Sequence, residues 1–378
     1  MNESRAARHQ RLRRRAQAVG LVSGVVLLGT FALTPIGPAV SAWCISVASA
    51  MPPWFAFPAA LVLFVSLLVA GWELAMLPAV LARPEAEAGQ REVGTESQAT
   101  ATLAVAGLVV LPGAVISAAA VQLAIRFAGG WWWPVAGGVI AGVVAVVMHA
   151  APAALARLSG ARPIDRPALL ERLGVLARQI RVPIHSIDEV SAFTATAMVT
   201  GAGGSRRVFI ARELIRDWTD DEIAVVVAHE FAHHAHHDLW RTLALETAIL
   251  SAGFWTADRV AAAALLPVSP LRDLAALPFV ALLVTLVWAA ATPIRHAVSR
   301  HQERRADAFA LRLTGEAEAF RGVLRRLASR HLAEEHPSRL TRWLYHRHPS
   351  VAERLRAAET FQARGVNRSN DPTAHRSI

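Results

Sequence analysis

The chain alternates long apolar runs with polar segments rich in arginine. From Ala16 through Trp72 it carries no charged side chain, a stretch that is costly to expose to water and that a bilayer accommodates. Runs of about 20 largely apolar residues, enough to cross a hydrocarbon core, lie near 19–40, 57–80, 101–124, 132–155 and 274–294. A weaker sixth candidate near 243–266 contains Glu246, Asp258 and Arg259, so it reads as a bent or sheltered span, or as a helix packed on protein. Pro35, Pro112 and Pro152 predict kinks within these segments. The first run exceeds the apolar core of a cleaved signal peptide, about 7 to 15 residues, and is expected to remain as an anchor.

The polar segments set the expected orientation. Arg5, Arg8, Arg11, Arg13, Arg14 and Arg15 precede the first run, and the segments Arg83–Gln98 and Arg157–Arg241 follow later ones, alternating with nearly uncharged connections. Positive residues stay on the cytoplasmic side, which predicts six spans, both termini in the cytoplasm and a polar domain on that face of a bacterial plasma membrane. The cluster Trp131-Trp132-Trp133-Pro134 fits an aromatic belt at the opposite interface or ordinary helix packing.

Within the first large polar insert, residues 157–242, apolar positions at helical spacing predict a helix over Pro167–Ile180. Ile184–Val190 and Arg207–Ala211 read as short strands. Thr194–Ser205, rich in small residues and ending in Gly201-Ala202-Gly203-Gly204, suits a hairpin or a flexible rim. Thr219 followed by Glu222 is a capping box, and it opens a helix whose apolar run Ile223–Ala228 leads directly into a group of histidines.

Composition narrows the function. Of 378 residues, 54% are hydrophobic and 18% charged, and the net charge is +10. A nucleic-acid-binding arm is disfavoured, because no aromatic residues interleave the N-terminal arginines for base stacking. Cys44 is the sole cysteine, which excludes an intrachain disulfide and a thiolate zinc cluster. Any zinc must be held by histidine and carboxylate.

His229-Glu230-Phe231-Ala232-His233 supplies such a pair. Imidazoles four residues apart share a helical face and can reach one zinc ion, while Glu230 stands where a general base takes a proton from metal-bound water. His234, His236 and His237 leave open a looser histidine-rich tract. Asp238 is expected to orient a ligand or cap the helix. For a third ligand the best candidate is Glu303, in Ser299-Arg300-His301-Gln302-Glu303-Arg304-Arg305-Ala306-Asp307. Glu303 and Asp307 lie one turn apart, so one can bind zinc while the other accepts the second nitrogen proton of a ligating histidine. A solvated charged helix fits the same residues.

In these motifs the chain resembles the CAAX prenyl endopeptidases, membrane zinc proteases of the gluzincin type. The likeness covers roughly residues 70–360 and rests on His229–His233, on Glu303-Arg304-Arg305-Ala306-Asp307 and on His348-Pro349-Ser350-Val351-Ala352-Glu353-Arg354-Leu355. The resemblance implies zinc bound by His229, His233 and Glu303, with Glu230 as base and Asp307 behind the ligands. It places His348 beside the scissile bond and gives Arg354 a role in holding the site together. Thr196-Ala197 stands where the family has an Asn-Ala pair on the substrate-aligning strand, a change that spares backbone pairing but removes an amide side chain. Ser350 replaces a common second proline, and Asp238 is shared with the related bacterial heat-shock membrane proteases.

The resulting expectation is a mainly α, multi-span helical membrane protein with a small α+β zinc metallopeptidase domain. Its parts are a basic N-terminus (1–18), a four-span region (19–156), two peptidase halves (157–242 and 295–360) flanking a hydrophobic helical pair (243–294), and a disordered tail (361–378). The expected activity is hydrolysis of membrane-associated or lipidated polypeptides with one Zn2+ per chain. A quality-control protease for membrane proteins and a non-catalytic metal-binding sensor or scaffold are the open alternatives.

Overall fold

The computed structural model describes residues 5–81, 110–190, 196–263, 268–330 and 338–369. In chain order the helices and strands are α1 (Arg5–Leu33), α2 (Ile36–Ala48), α3 (Pro53–Leu81), α4 (Leu111–Phe127), α5 (Trp132–Leu158), β1 (Arg162–Pro163) and α6 (Pro167–Gln179). They continue with β2 (Ser186–Val190), β3 (Ala197–Thr200), β4 (Arg207–Ala211), α7 (Arg212–Asp217), α8 (Asp220–Ala235) and α9 (Asp238–Ala262). The last are α10 (Leu277–Ala290), α11 (Thr292–Thr314), α12 (Ala317–Arg330), α13 (Arg339–Tyr345) and α14 (Val351–Ser369). The fold is mainly helical with several apolar helices and one small mixed sheet. The chain divides into two compact units, Met1–Gly142 with Ala244–Thr292 and Val143–Leu243 with Pro293–Ile378.

The first unit is apolar. Among the described residues, Gln10–Leu33, Pro53–Met76 and Gly129–Leu158 are long and apolar enough to cross a membrane, and a fourth span results if α10 and α11 count as one broken span. Six spans were expected. The run at 19–40 divides at Thr34 and Pro35, because proline has no N–H for the helical ladder; Thr34 Oγ1 bonds back to the Thr30 carbonyl at 2.6 Å and α2 begins anew. The segment Arg83–Gln98 and the first part of 101–124 lie outside the described residues. The remainder of that run is α4, a shorter apolar helix. The segment 243–266 falls largely on α9, whose charged residues keep it from qualifying as a span.

The core of this unit holds Cys44, Phe64, Phe254 and Phe279. Trp132 is 2% exposed and its indole N–H donates to Asp258 at 2.8 Å. An aromatic-belt role therefore fails for Trp132, which packs inward and satisfies a carboxylate inside an apolar bundle; Trp131 is the exposed member of the cluster. A Cβ on Gly253 would stand 2.8 Å from the Val284 backbone, so glycine there lets α9 and α10 approach closely.

The second unit is built on a four-stranded sheet of order β1-β2-β4-β3, in which β2 and β4 are parallel and the outer pairs antiparallel. Leu169, Leu173 and Leu176 of α6 follow helical spacing and join Val208 and Ile210 of β4 in one core. β3 occupies the stretch read from sequence as hairpin or rim. It is a true edge strand, paired with β4 from Ala197↔Ile210 to Thr200↔Arg207.

Helix α8 begins at the expected capping box: Thr219 Oγ1 accepts from the Glu222 N–H at 3.2 Å, and Glu222 Oε2 accepts from the Thr219 N–H at 3.0 Å. It is buried all round. Ile223, Val227 and Phe231 enter the sheet-side core, while Val225 meets Leu311, Phe320 and Ala358. Helix α14 runs on to Ser369, so the tail expected to be disordered from 361 is helical at first; residues 370–378 lie outside the described residues.

Candidate metal centre

Helical periodicity brings His229 and His233 of α8 together, with ring centroids 5.0 Å apart. Glu303, on α11 and 8% exposed, meets both: Oε2 lies 3.3 Å from His229 Nε2 and Oε1 lies 3.8 Å from His233 Nε2. One ligand atom from each of the three residues falls within 4.8 Å of the others. Both imidazoles therefore turn Nε2 toward a common point.

Their other nitrogens face carboxylates. His229 Nδ1 is 3.0 Å from Asp307 Oδ1, and His233 Nδ1 is 3.0 Å from Asp238 Oδ2. Such partners fix the ring orientation of metal-binding histidines. Asp307 is itself held in a fork by Arg354, whose Nε and Nη2 donate at 2.8 and 2.6 Å. Asp238 reaches back because His237 adopts a left-handed conformation, φ 57°, which ends α8 and redirects the chain into α9. Asp238 stands five positions after His233, a spacing that an unbroken helix does not bring to one face.

The electrostatics are those of a place short of positive charge. Burial favours neutral His229, yet Asp307 and Glu303 outweigh it and raise its pKa to about 9. Burial pushes Glu303 up, but hydrogen bonds with His229 and His348 hold it well below the usual carboxylate range. Asp307 is likewise lowered by His229 and Arg354 against the opposing effect of burial. Two imidazole nitrogens and a carboxylate oxygen, facing one point in a site that draws in a proton, suit a divalent cation.

Glu230 projects beside this cluster. Burial raises its pKa, opposed by His229 and His233 and by a hydrogen bond with the Val199 backbone. Val199 lies on β3, and its carbonyl is 3.1 Å from His234 Nε2, so the edge strand is tied to the histidine helix. His348 approaches from the opposite chain segment, with Nδ1 3.0 Å from Glu303 Oε2 and a side chain 65% exposed. The arrangement places a carboxylate base, a candidate cation site and an exposed imidazole around one polar centre.

The family model for peptidase family M48 matches residues 165–362, a range that contains every residue of this cluster. The chain belongs to peptidase family M48. It is thus a metallopeptidase by family, and membership implies a metal cofactor. Over 207 residues it is 30% identical to Uncharacterized metalloprotease YhfN of Bacillus subtilis (strain 168), covering 52% of this chain and 49% of that protein. Over 230 residues it is 28% identical to a Protease HtpX homolog of Desulfotalea psychrophila, covering 54% and 79%. The chain spans about half the length of the first of these relatives. Its fold is that of S. mikatae Ste24p, with a TM-score of 0.70 at 19% identity over 85% of this chain and 80% of that one. The family resemblance and the fold class read from the motifs are borne out.

Within the M48 region the remaining sequence-derived residues are placed as follows. Thr196 immediately precedes β3, and its carbonyl accepts from the Ala211 N–H at 2.9 Å. Ala197 is 5% exposed with its methyl in the sheet core, so only its backbone can meet a ligand. Ser350, in place of the second proline, caps α14 by accepting from the Glu353 N–H at 3.2 Å. Sequence reasoning gave no role to Arg300. Its Nη1 donates to the carbonyls of Arg342 and His346 at 3.0 and 2.7 Å, fastening the segment that carries His348. Its position one helical turn before Glu303 was the signal available.

Proposed function

We propose that this M48 peptidase is a membrane-integral zinc endopeptidase acting on membrane-associated polypeptides, with His229, His233 and Glu303 as ligands and Glu230 as general base. The observation that carries the reading is the convergence of three ligand atoms, from two helices, within 4.8 Å. Two imidazoles and one carboxylate, with a further position open, form a donor set typical of catalytic zinc. Zinc, when bound there, supplies Lewis acidity to a peptide carbonyl and to water.

The protein's own groups perform the rest. Glu230, its pKa raised by burial, takes up a proton from water near neutral pH and returns it to the leaving amine. Asp307 and Asp238 keep the imidazoles turned to the centre, and Arg354 anchors Asp307. His348, exposed on the substrate side, donates toward the carbonyl oxygen as negative charge develops. An extended substrate pairs along the outer edge of β3, using the Ala197 backbone beside Thr196. The stretches 157–242 and 295–360 form the peptidase part, and the arginine bias of the polar segments favours the cytoplasmic face.

The test is Glu230→Gln in the full chain, with metal content and released peptides both measured. Metal content is expected to stay at that of the unaltered protein while turnover falls by about 10²- to 10⁴-fold. Undiminished cleavage removes Glu230 from the reaction. Comparison of membrane-protein abundance in cells separates a selective peptidase, which leaves a few discrete uncut substrates, from a quality-control protease, which leaves a broad accumulation.

A further inference from the structure

On the helix that carries Glu303, the second unit borders a cleft of about 560 Å³ lined by Arg300, Arg304, Arg339 and Arg342 together with Leu340, Trp343 and Glu353. Four guanidiniums face one carboxylate. Glu353 is divided between Arg304 at 3.4 Å and Arg342 at 3.7 Å, which leaves a net charge of +3 (four arginines less one glutamate) on this lining. Burial pushes the Arg300 guanidinium below its ordinary pKa, with Arg342 and Arg304 adding a smaller push in the same direction. Phosphate is the anion that such forks bind best.

The cleft is built rather than incidental. Arg300 bonds two carbonyls of the α13 segment, and His296, one turn earlier on α11, hydrogen-bonds the Trp343 backbone, so α13 is fastened to α11. On α13, Leu340, Trp343 and Tyr345 are 64%, 52% and 40% exposed, and the first two line the cleft. Arginine beside exposed tryptophan, tyrosine and leucine is the composition of a helix at a bilayer surface.

We propose that the α11–α13 cleft binds the phosphate group of an anionic phospholipid, with the guanidiniums on the phosphate and Leu340 and Trp343 against its apolar side. A charged cleft with an apolar rim selects lipid over free phosphate, because only the lipid satisfies both surfaces. The binding is independent of the peptidase reading and is measured without proteolysis.

The experiment titrates the full chain, purified and delipidated in neutral detergent, with phosphatidylglycerol, phosphatidylcholine or inorganic phosphate, and counts bound lipid per chain by native mass spectrometry. Phosphatidylglycerol is expected to bind in preference to phosphatidylcholine, and the double variant Arg339→Gln/Arg342→Gln to weaken it roughly thirtyfold. The single variant Arg339→Gln, at an exposed position, is expected to give a smaller loss in the same direction and guards against misfolding of the double variant. The proposal is overturned if the double variant retains unaltered lipid affinity, if phosphatidylcholine binds equally well, or if inorganic phosphate competes the lipid away at equal concentration.

Discussion

Helix α8 and the segment from Arg342 to Ser350 both present a histidine to Glu303, yet they are held by opposite means. α8 is capped, enclosed by two hydrophobic clusters, and its two imidazoles each have a carboxylate behind them. The His348 segment is more open to solvent and is held by polar tethers: Arg300 bonds two of its carbonyls, His296 bonds the Trp343 backbone, Arg342 pairs with Glu353, and His348 meets Glu303. Burial fixes α8 with many weak contacts that persist when one is lost. A few polar tethers fix the His348 side, so each tether matters individually.

The sharpest probe of the α8 side is pH. In metal-free protein His229 holds its proton up to about pH 9, and metal must displace that proton. Metal affinity is therefore expected to rise with pH to about 9 and then level, changing by about tenfold per unit below it. The same proton stabilises the metal-free fold fully below the ordinary histidine value of 6.5, and the contribution is lost as pH climbs through about 9. Chelated protein should thus show a falling thermal midpoint across that window, and a flat profile would break the assignment of His229 to the enclosed carboxylate cluster.

A second probe removes one carboxylate from behind an imidazole. Asp238→Asn is expected to weaken metal binding by about 10- to 100-fold, read by competition with a chelator, with KM for peptide little changed once metal saturates. The smallest expected effect lies on the open side. Arg300→Gln should lower kcat by about tenfold through displacement of His348, with metal stoichiometry intact, and Arg300→Lys should recover part of the loss because it keeps a donor for the two carbonyls. If Arg300→Gln instead empties the metal site, the two regions are not separately held and the comparison fails.

The parts visible in sequence are those encoded by local pattern. The capping box and the run Ile223–Ala228 determine α8 over a few residues, and the four-residue spacing of its histidines follows from the helical period. The local pattern read β3 as a hairpin or rim because Ala197–Thr200 is short and flanked by small residues, and only the family resemblance put a strand there; its strand character comes from pairing with β4. Asp238 could be suspected but not placed, since its reach to His233 depends on one left-handed residue, His237. The apolar run at 19–40 concealed a break because hydrophobicity reports the solvent of a segment, whereas Pro35 governs its backbone.

β3 is tied to α8 through Val199. Along an antiparallel strand, successive residues direct their amide groups to alternate sides. With Thr196 bonded to β4 through its carbonyl, Ala197 and Val199 direct theirs outward. Val199 is already engaged by His234 and Glu230, so a guest polypeptide lying there finds a berth that closes after Ala197. If a substrate pairs there as proposed, cleavage should tolerate varied side chains but demand a fixed stride from that berth to the broken bond, as a mooring sets how far a hull can swing.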